Sequence, residues 1–445
     1  MSSSAPGSVA SKVASEAAAN AAAATDTVEP LEAPRYHSRR SAIKTLLTRF
    51  GTAPETALSA MVEIADRCNE ACVHCYQIQG QKGELSTEQL EAVFDQLKEL
   101  GVLLLTISGG EPTLRKDFAH LVAYARKLKF AVKIYSNGTN ITRELAQELG
   151  RLAVQEVQMS LYSDRAEPHD QVTRVPGSFE KTTAAARHLR EAGVKVVLKS
   201  PVMQSNVERV REYAAFASSL GAEFSLDRNL VLREDGSAEP REVWIGQEQY
   251  LEVSRLLAQP KPIAPIALGA RPCSACSRNV HVEPNGELRP CASWSVPTGH
   301  ALSEGLSSAW RNNPQAIAIR ELSWGSLPAC RVCDLRSYCS RCFAQAQLEV
   351  GDARLPYENA CQRARWEYQV RHGEAPLIEA KSGSAAIGPY RHTVGHQFAR
   401  EDIELTSADQ ELLAANPWLR EPRSAEKPEP GHLVRLRRSK DAPLT

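Results

Sequence analysis

The stretch "IADRCNEACVHCYQ" (64–77) places Cys68, Cys72 and Cys75 within eight residues, directly after an apolar run. Cysteine-bound metal sites with a purely structural role are closed by four protein ligands, whereas catalytic sites keep a position open. Three cysteines at this spacing leave the fourth position to be explained. A zinc site completed from elsewhere, with His74 close by, is the plain alternative. Zinc sites, however, generally draw on paired C-x-x-C or C-x-x-H units at both ends of a loop, and no second such pair stands near this triplet.

The chain has 445 residues, enough for two or three domains of ordinary size. Its 53 basic and 53 acidic residues cancel, so the charge balance favours neither nucleic acid nor an anionic membrane surface as partner. No apolar run reaches the length of a membrane span. Residues 1–55, alanine- and serine-rich with Glu16 and Asp26 interrupting, read as a disordered leader, with a signal peptide as a minor alternative. A cytoplasmic location follows as the expectation. Eleven cysteines in such a chain argue for metal ligation before disulfides. Three lie at 68–75, none between 76 and 272, and eight between 273 and 361, a gap foreign to a disulfide framework.

From about 60 to 228 the sequence alternates strand-like and helix-like segments. "AMVEIAD" (60–66), "VLLLTIS" (102–108), "AVKIYS" (131–136), "VQEVQMSLYS" (154–163), "VKVVLKS" (194–200) and "AEFSLD" (222–227) read as strands. The helix after Ser86 or Thr87 puts Leu90, Val93, Phe94, Leu97 and Leu100 on one face and stops at Gly101. Six strands separated by helices imply an α/β fold with a parallel sheet, whose chemistry gathers at the strands' C-terminal ends. A connector with one helix near 245–258 leads to a cysteine-rich segment whose fold would come mainly from metal. Residues 371–445 read as a mostly disordered tail, with one capped helix at 407–416 and a basic "VRLRRSK" that is a solvated end rather than a binding patch.

Cys68-x-x-x-Cys72-x-x-Cys75 after the first strand resembles the signature of the radical S-adenosylmethionine (SAM) superfamily. The family usually has an aromatic residue just before the third cysteine; here His74 stands there and Tyr76 follows one place later. "SGGEPTL" (108–114), after the second strand, resembles the family motif that holds the SAM amino group. Its glycines allow close backbone approach, Glu111 can accept from an ammonium, and Pro112 fixes the following turn. The resemblance implies further SAM contacts: Gly109 and Gly110 in that motif, Ser136 and Asn137 in "YSNGT", Ser160 in "SLYS", and Arg174 in "HDQVTRVPGSF" (169–179). Lys199 would point toward substrate or lie at the barrel rim. It implies a partial (β/α)6 TIM-like barrel over 56–270, a [4Fe-4S] cluster on the triplet, and SAM at the open iron. Reductive cleavage of SAM to a 5′-deoxyadenosyl radical would then allow hydrogen abstraction from substrate.

The second cysteine group resembles the SPASM extension of this superfamily, expected over 271–370. Cys276, Gly286 and Cys291 fit its first half, and Cys330, Cys333 and Cys339 its second. Cys339 and Cys342 are one residue closer than usual, and Cys273 lies unusually near Cys276. By resemblance, Cys273, Cys276, Cys291 and Cys342 would hold an inner auxiliary [4Fe-4S] cluster, and Cys330, Cys333, Cys339 and Cys361 an outer one. Such clusters suit electron transfer in an oxidative reaction. Ala292 and Ser293 stand where sulfatase-maturing members carry an acidic residue, which weakens a formylglycine reading. The implied activity is modification of a ribosomal peptide or peptide-derived cofactor precursor, fed by a reductase or flavodoxin-type electron donor. A haem- or small-molecule-modifying enzyme and a non-catalytic zinc or iron–sulfur protein are the competing readings.

Overall fold

In the computed structural model the described residues are 57–257, 263–374 and 405–420. The leader and the basic end of the tail lie outside them. Eight strands form one sheet in the order β6-β5-β4-β3-β2-β1-β7-β8. They are β1 (Ser59–Ala65), β2 (Leu104–Gly109), β3 (Ala131–Ser136), β4 (Glu156–Ser160), β5 (Val196–Pro201), β6 (Glu223–Asp227), β7 (Asn279–Val282) and β8 (Leu288–Arg289). The first six run parallel in sequence order, as the helix-for-every-crossover pattern requires.

The helices between them are α1 (Thr87–Glu99), α2 (Phe118–Lys127), α3 (Arg143–Arg151), α4 (Ala166–Thr173), α5 (Ser178–Glu191) and α6 (Val210–Ser219). Helix α1 starts where its cap chemistry says it should. The Ser86 hydroxyl accepts from Gln89 N, and Gln89 Oε1 accepts in turn from Ser86 N. Its apolar face, Leu90, Val93, Phe94 and Leu97, is fully buried.

Register makes the sheet two-faced. Val62, Ile107, Ile134, Val157 and Val196 are successive register partners, all buried in the core with the helices. One residue along, Glu63 pairs with Ser108, and Tyr135 with Gln158, so the opposite face is polar. Lys133 and Glu156 form an ion pair of 2.8 Å there. A continuous apolar run such as "VLLLTIS" promises two apolar faces; Thr106 and Ser108 make the inner one polar.

Past β6 come α7 (Gln247–Leu257), α8 (Leu306–Asn312), α9 (Pro314–Glu321), α10 (Phe343–Val350) and α11 (Glu358–His372). The cysteine-rich segment contributes to the barrel sheet. Strand β7 pairs parallel with β1, Met61 opposite His281, and so continues the barrel sheet. The tail's helix α12 (Ser407–Ala415) docks on this module: Arg331 pairs with Asp409 at 3.4 Å, and Ala353 N donates to Leu419 O.

Candidate active site

The three cysteines of the first loop lie immediately beyond β1, and the chain there is held by its backbone rather than by its thiols. Ala71 N donates to Thr173 O at 3.1 Å and Val73 N to Val172 O at 3.0 Å, joining the loop to α4. Gly80 N returns to Asp66 O and closes the loop. On the other side the glycine pair after β2 is laid against it: Gly110 N donates to Ala65 O and Glu111 N to Arg67 O, both at 2.8 Å. A Cβ on Gly110 would lie 2.6 Å from the Arg67 carbonyl carbon and closer still to its oxygen. Gly109, at φ +140°, is equally confined by Ala65.

Glu111 is fully buried, and its Oε1 accepts from Thr113 N, Thr113 Oγ1 and Ser136 Oγ, while Oε2 accepts from Asn137 N at 2.7 Å. No cation among the described residues pairs with it. Burial pushes this carboxyl up, against the pull of those hydrogen bonds. A carboxylate so placed is a fit for an ammonium group from outside the chain. Asn137 also donates through Nδ2 to Asn69 Oδ1 at 2.8 Å, so the ends of β2 and β3 both brace the cysteine loop. Pro112 opens the short turn that follows and is buried.

Ser160 ends β4 beside the Tyr162 hydroxyl. Arg174 sits at the end of α4 in the left-handed region, φ 60°, next to the backbone that pairs with Ala71. Its side chain is exposed and has no hydrogen-bond or ion-pair partner among the described residues. Lys199 stands over the Tyr135 ring at 4.6 Å on the polar face of the sheet. His74, in the place of the usual aromatic, packs edge-on against Tyr162 at 4.8 Å. Burial lowers its pKa to about 4, so it is a neutral ring that packs as an aromatic would.

None of the eleven cysteines is in a disulfide. The eight downstream cysteines fall into two groups in space. The thiols that act most strongly on Cys291 are Cys342, Cys273 and Cys276. Those that act most strongly on Cys361 are Cys330, Cys339 and Cys333. Burial pushes Cys276 and Cys339 up to about 12, as it does Cys68. Thiols gathered in threes and fours, with Cys276, Cys291, Cys339 and Cys361 made hard to ionise alone by burial, are a donor set that makes sense with a multiply charged metal centre among them.

Sequence reasoning missed a second buried constellation. Glu63 of β1 accepts from Gln77 Nε2 at 2.9 Å; His281 of β7 lies 3.0 Å from Glu283 and 3.7 Å from Glu63. Lys82 reaches Glu283 at 2.6 Å and Glu234 at 2.9 Å. With Lys82 and Arg289 already against Glu283, the group reads as an ion-pair network joining barrel and cysteine module rather than as a metal centre. The signal was a charged residue in the middle of the apolar strand "AMVEIAD". Burial raises Glu63 to about 7. For Glu283 burial is outweighed by His281, Arg289 and Lys82, which hold it near 2.

A carboxyl raised this way stabilises the fold fully below its unfolded pKa of 4.5, and the contribution is lost as pH rises through about 7. Glu63→Gln, neutral at every pH, is therefore expected to gain on the native chain between pH 6 and pH 8. Apparent melting temperatures of the two proteins at both pH values check this. A gap that does not widen in the variant's favour contradicts it.

Two family models match the chain: the Radical SAM superfamily over residues 62–217 and an iron–sulfur cluster-binding domain, SPASM, over 273–334. Mycofactocin maturase MftC of Mycobacterium tuberculosis is 30% identical over 320 residues, covering 66% of this chain and 80% of that protein. PqqA peptide cyclase of Gluconobacter oxydans is 26% identical over 322 residues, covering 68% and 90%. Among solved structures, Streptococcus suis SuiB bound to S-adenosylmethionine superposes with a TM-score of 0.54 at 17% identity, over 79% of this chain and 87% of that one.

Proposed function

The chain belongs to the radical SAM superfamily and carries its SPASM iron–sulfur extension, and from that premise we propose that it is a peptide-maturing enzyme whose active site is the loop of Cys68, Cys72 and Cys75. The observation that carries the site is the stitching of that loop to Gly110 and Glu111, which sets a buried carboxylate, with no cation partner among the described residues, against the loop that opens at Cys68.

In this reading Cys68, Cys72 and Cys75 hold a [4Fe-4S] cluster with one iron left for SAM. When bound, the pair supplies a carbon radical able to take hydrogen from an unactivated C–H bond. The chain's own part is placement. Glu111 receives the SAM ammonium, with Ser136 and Asn137 fixing its two oxygens. Gly109 and Gly110 let the backbone come close, and Pro112 turns the chain away. Ser160 closes the β4 side. Arg174, exposed and unpaired at the rim, is placed for the SAM carboxylate. Lys199 and the polar inner face of the sheet meet the substrate, which a peptide's amides suit.

Cys273, Cys276, Cys291 and Cys342 hold an inner auxiliary cluster, and Cys330, Cys333, Cys339 and Cys361 an outer one. Held by four thiolates each, such clusters would supply an acceptor for the electron left when a substrate loses a hydrogen atom and a proton. The barrel then spans 56–270 and the auxiliary module 271–370, with β7 of the module paired to β1 of the barrel. The substrate class rests on the relatives, a mycofactocin maturase and a peptide cyclase. The electrons come from a low-potential donor of flavodoxin type. No helix among the described residues is long and apolar enough to cross a membrane.

Anaerobic reconstitution is expected to give a brown protein with roughly twelve irons, three four-iron clusters. With dithionite it should turn SAM into 5′-deoxyadenosine. Offered a short peptide encoded beside its gene, it should return that peptide oxidised, in a SAM-dependent way. A colourless, zinc-retaining protein that leaves SAM intact would defeat the reading, and a modified porphyrin in place of peptide would replace its substrate class.

A further inference from the structure

Each of the three sulfurs in the cysteine loop has one side-chain donor from a different part of the fold. Asn137 Nδ2 stands 3.9 Å from Cys68 Sγ, the Tyr162 hydroxyl 3.7 Å from Cys72 Sγ, and Gln79 Nε2 3.9 Å from Cys75 Sγ. Asn137 and Tyr162 are buried. All three donors are neutral, and Cys72 Sγ also stands 3.5 Å from Oε2 of the buried Glu70, a bond the thiol donates and a thiolate gives up. The arrangement differs at the outer auxiliary group, where the guanidinium of Arg341 stands 3.7 Å from Cys330 Sγ.

We infer that Asn137, Tyr162 and Gln79 form a donor shell that sets the reduction potential of the cluster held by Cys68, Cys72 and Cys75. The inference rests on the reading of that triplet as the open-site ligands. A ligating cysteine is a thiolate without a proton, so between Tyr162 and Cys72 only the phenol can donate. The Cys75 thiol points to Gln77 O at 3.8 Å; as a thiolate it gives up that bond and keeps Gln79 as its donor.

Reduction adds one electron, here from dithionite, to the cluster; no bond breaks and no proton moves. The added charge resides partly on the sulfurs and strengthens every hydrogen bond they accept. Donors to sulfur therefore favour the reduced state and raise the potential. Neutral donors do this less than a guanidinium would. The shell thus makes the cluster reducible while keeping it a stronger reductant than a cationic shell would leave it. Tyr162 acts through Cys72 and is a positioning residue, not a catalytic one.

The test is a dithionite redox titration of the reconstituted full chain followed by electron paramagnetic resonance. The open-site cluster is recognised as the signal that changes when SAM is added. Tyr162→Phe removes one donor and keeps the ring that packs on His74. Its open-site cluster is expected to be about tenfold harder to reduce, a fall of about 59 mV for a one-electron couple. Both auxiliary signals and the iron content should stay where they are. Gln79→Leu should shift the same signal in the same direction.

An unmoved or raised open-site potential in a fully loaded Tyr162→Phe protein overturns the inference, as does an equal shift of all three clusters. Should that variant load no open-site cluster, Gln79→Leu decides: an unmoved potential there is equally fatal. A native protein with no SAM-responsive signal would instead remove the reading of the triplet, a distinguishable failure.

Discussion

Replacing Cys68, Cys72 and Cys75 together by alanine is expected to abolish SAM cleavage, with 5′-deoxyadenosine no higher than in a protein-free control. About a third of the iron should go with it. The reason both numbers are expected at once lies in what holds the loop. Its shape comes from Ala71 and Val73 pairing with Thr173 and Val172, and from Gly80 closing on Asp66. None of those bonds uses a thiol. Alanine at the three positions therefore removes ligands without removing the scaffold. Among the eight other cysteines, the thiols that act on Cys291 are Cys342, Cys273 and Cys276, whereas those that act on Cys361 are Cys330, Cys339 and Cys333. Iron and sulfide assays with 5′-deoxyadenosine measured by chromatography check this. Residual cleavage would show that another site activates SAM. Loss of all the iron would show that the three clusters load as one.

The parts of this fold that were legible in the sequence share a property: their signal is local. The triplet declares itself by spacing, the strands by short apolar runs, and α1 by its Ser86–Gln89 capping box. Parts that were not legible depend on partners far away in sequence. Helix α4 carries Pro168 and the short, polar "AEPHDQVT", too little apolar periodicity to announce a helix, yet it supplies the carbonyls that receive the cysteine loop. Strand β7 is four residues long, and only its pairing with β1 makes it part of the barrel. The docking of α12 was equally invisible, since Asp409 is an ordinary capping acid until Arg331 and Arg354 are brought to it.

The same distinction explains the site residues. Glu111 could be singled out because its motif is contiguous. Glu63, His281, Glu283 and Lys82 could not, because they come from a strand of the barrel, the hairpin of the cysteine module and the loop between β1 and α1. A buried network of this kind links parts whose relative placement matters more than their separate stabilities. Here it ties the wall of the barrel to the module that carries the auxiliary cysteines. The donors to Cys72 and Cys75 belong to the same class: a tyrosine after β4 and a glutamine four residues past the last cysteine become meaningful only once the loop is folded.

The second large effect is expected from a single methyl group. Gly110→Ala places a Cβ 2.6 Å from the Arg67 carbonyl carbon and 3.1 Å from Cys68 N, both backbone atoms that cannot rotate away. Relief requires the two-bond ladder between Ala65–Arg67 and Gly110–Glu111 to open, and that ladder positions both Cys68 and the Glu111 carboxylate. The overpacking alone costs about 1–3 kcal/mol. Its functional consequence is larger, because one displacement separates the first cysteine from the ammonium acceptor. We expect open-site iron to fall and SAM binding to be lost, while the auxiliary iron stays. Glu111→Gln separates the two consequences: it keeps the backbone bonds that join the loops, and with them the iron, but removes the charge an ammonium would meet and turns an amide NH2 toward donors the carboxylate accepted from. A charge-assisted hydrogen bond of about 1.5–3 kcal/mol corresponds to a roughly 10- to 100-fold weaker SAM affinity. Equilibrium binding of SAM to both variants, with iron counted on the same samples, is the measurement. If Gly110→Ala keeps both its iron and its SAM affinity, the close approach of the two loops is not what assembles the site. If Glu111→Gln binds SAM as tightly as the native chain, the ammonium is held by something other than that carboxylate.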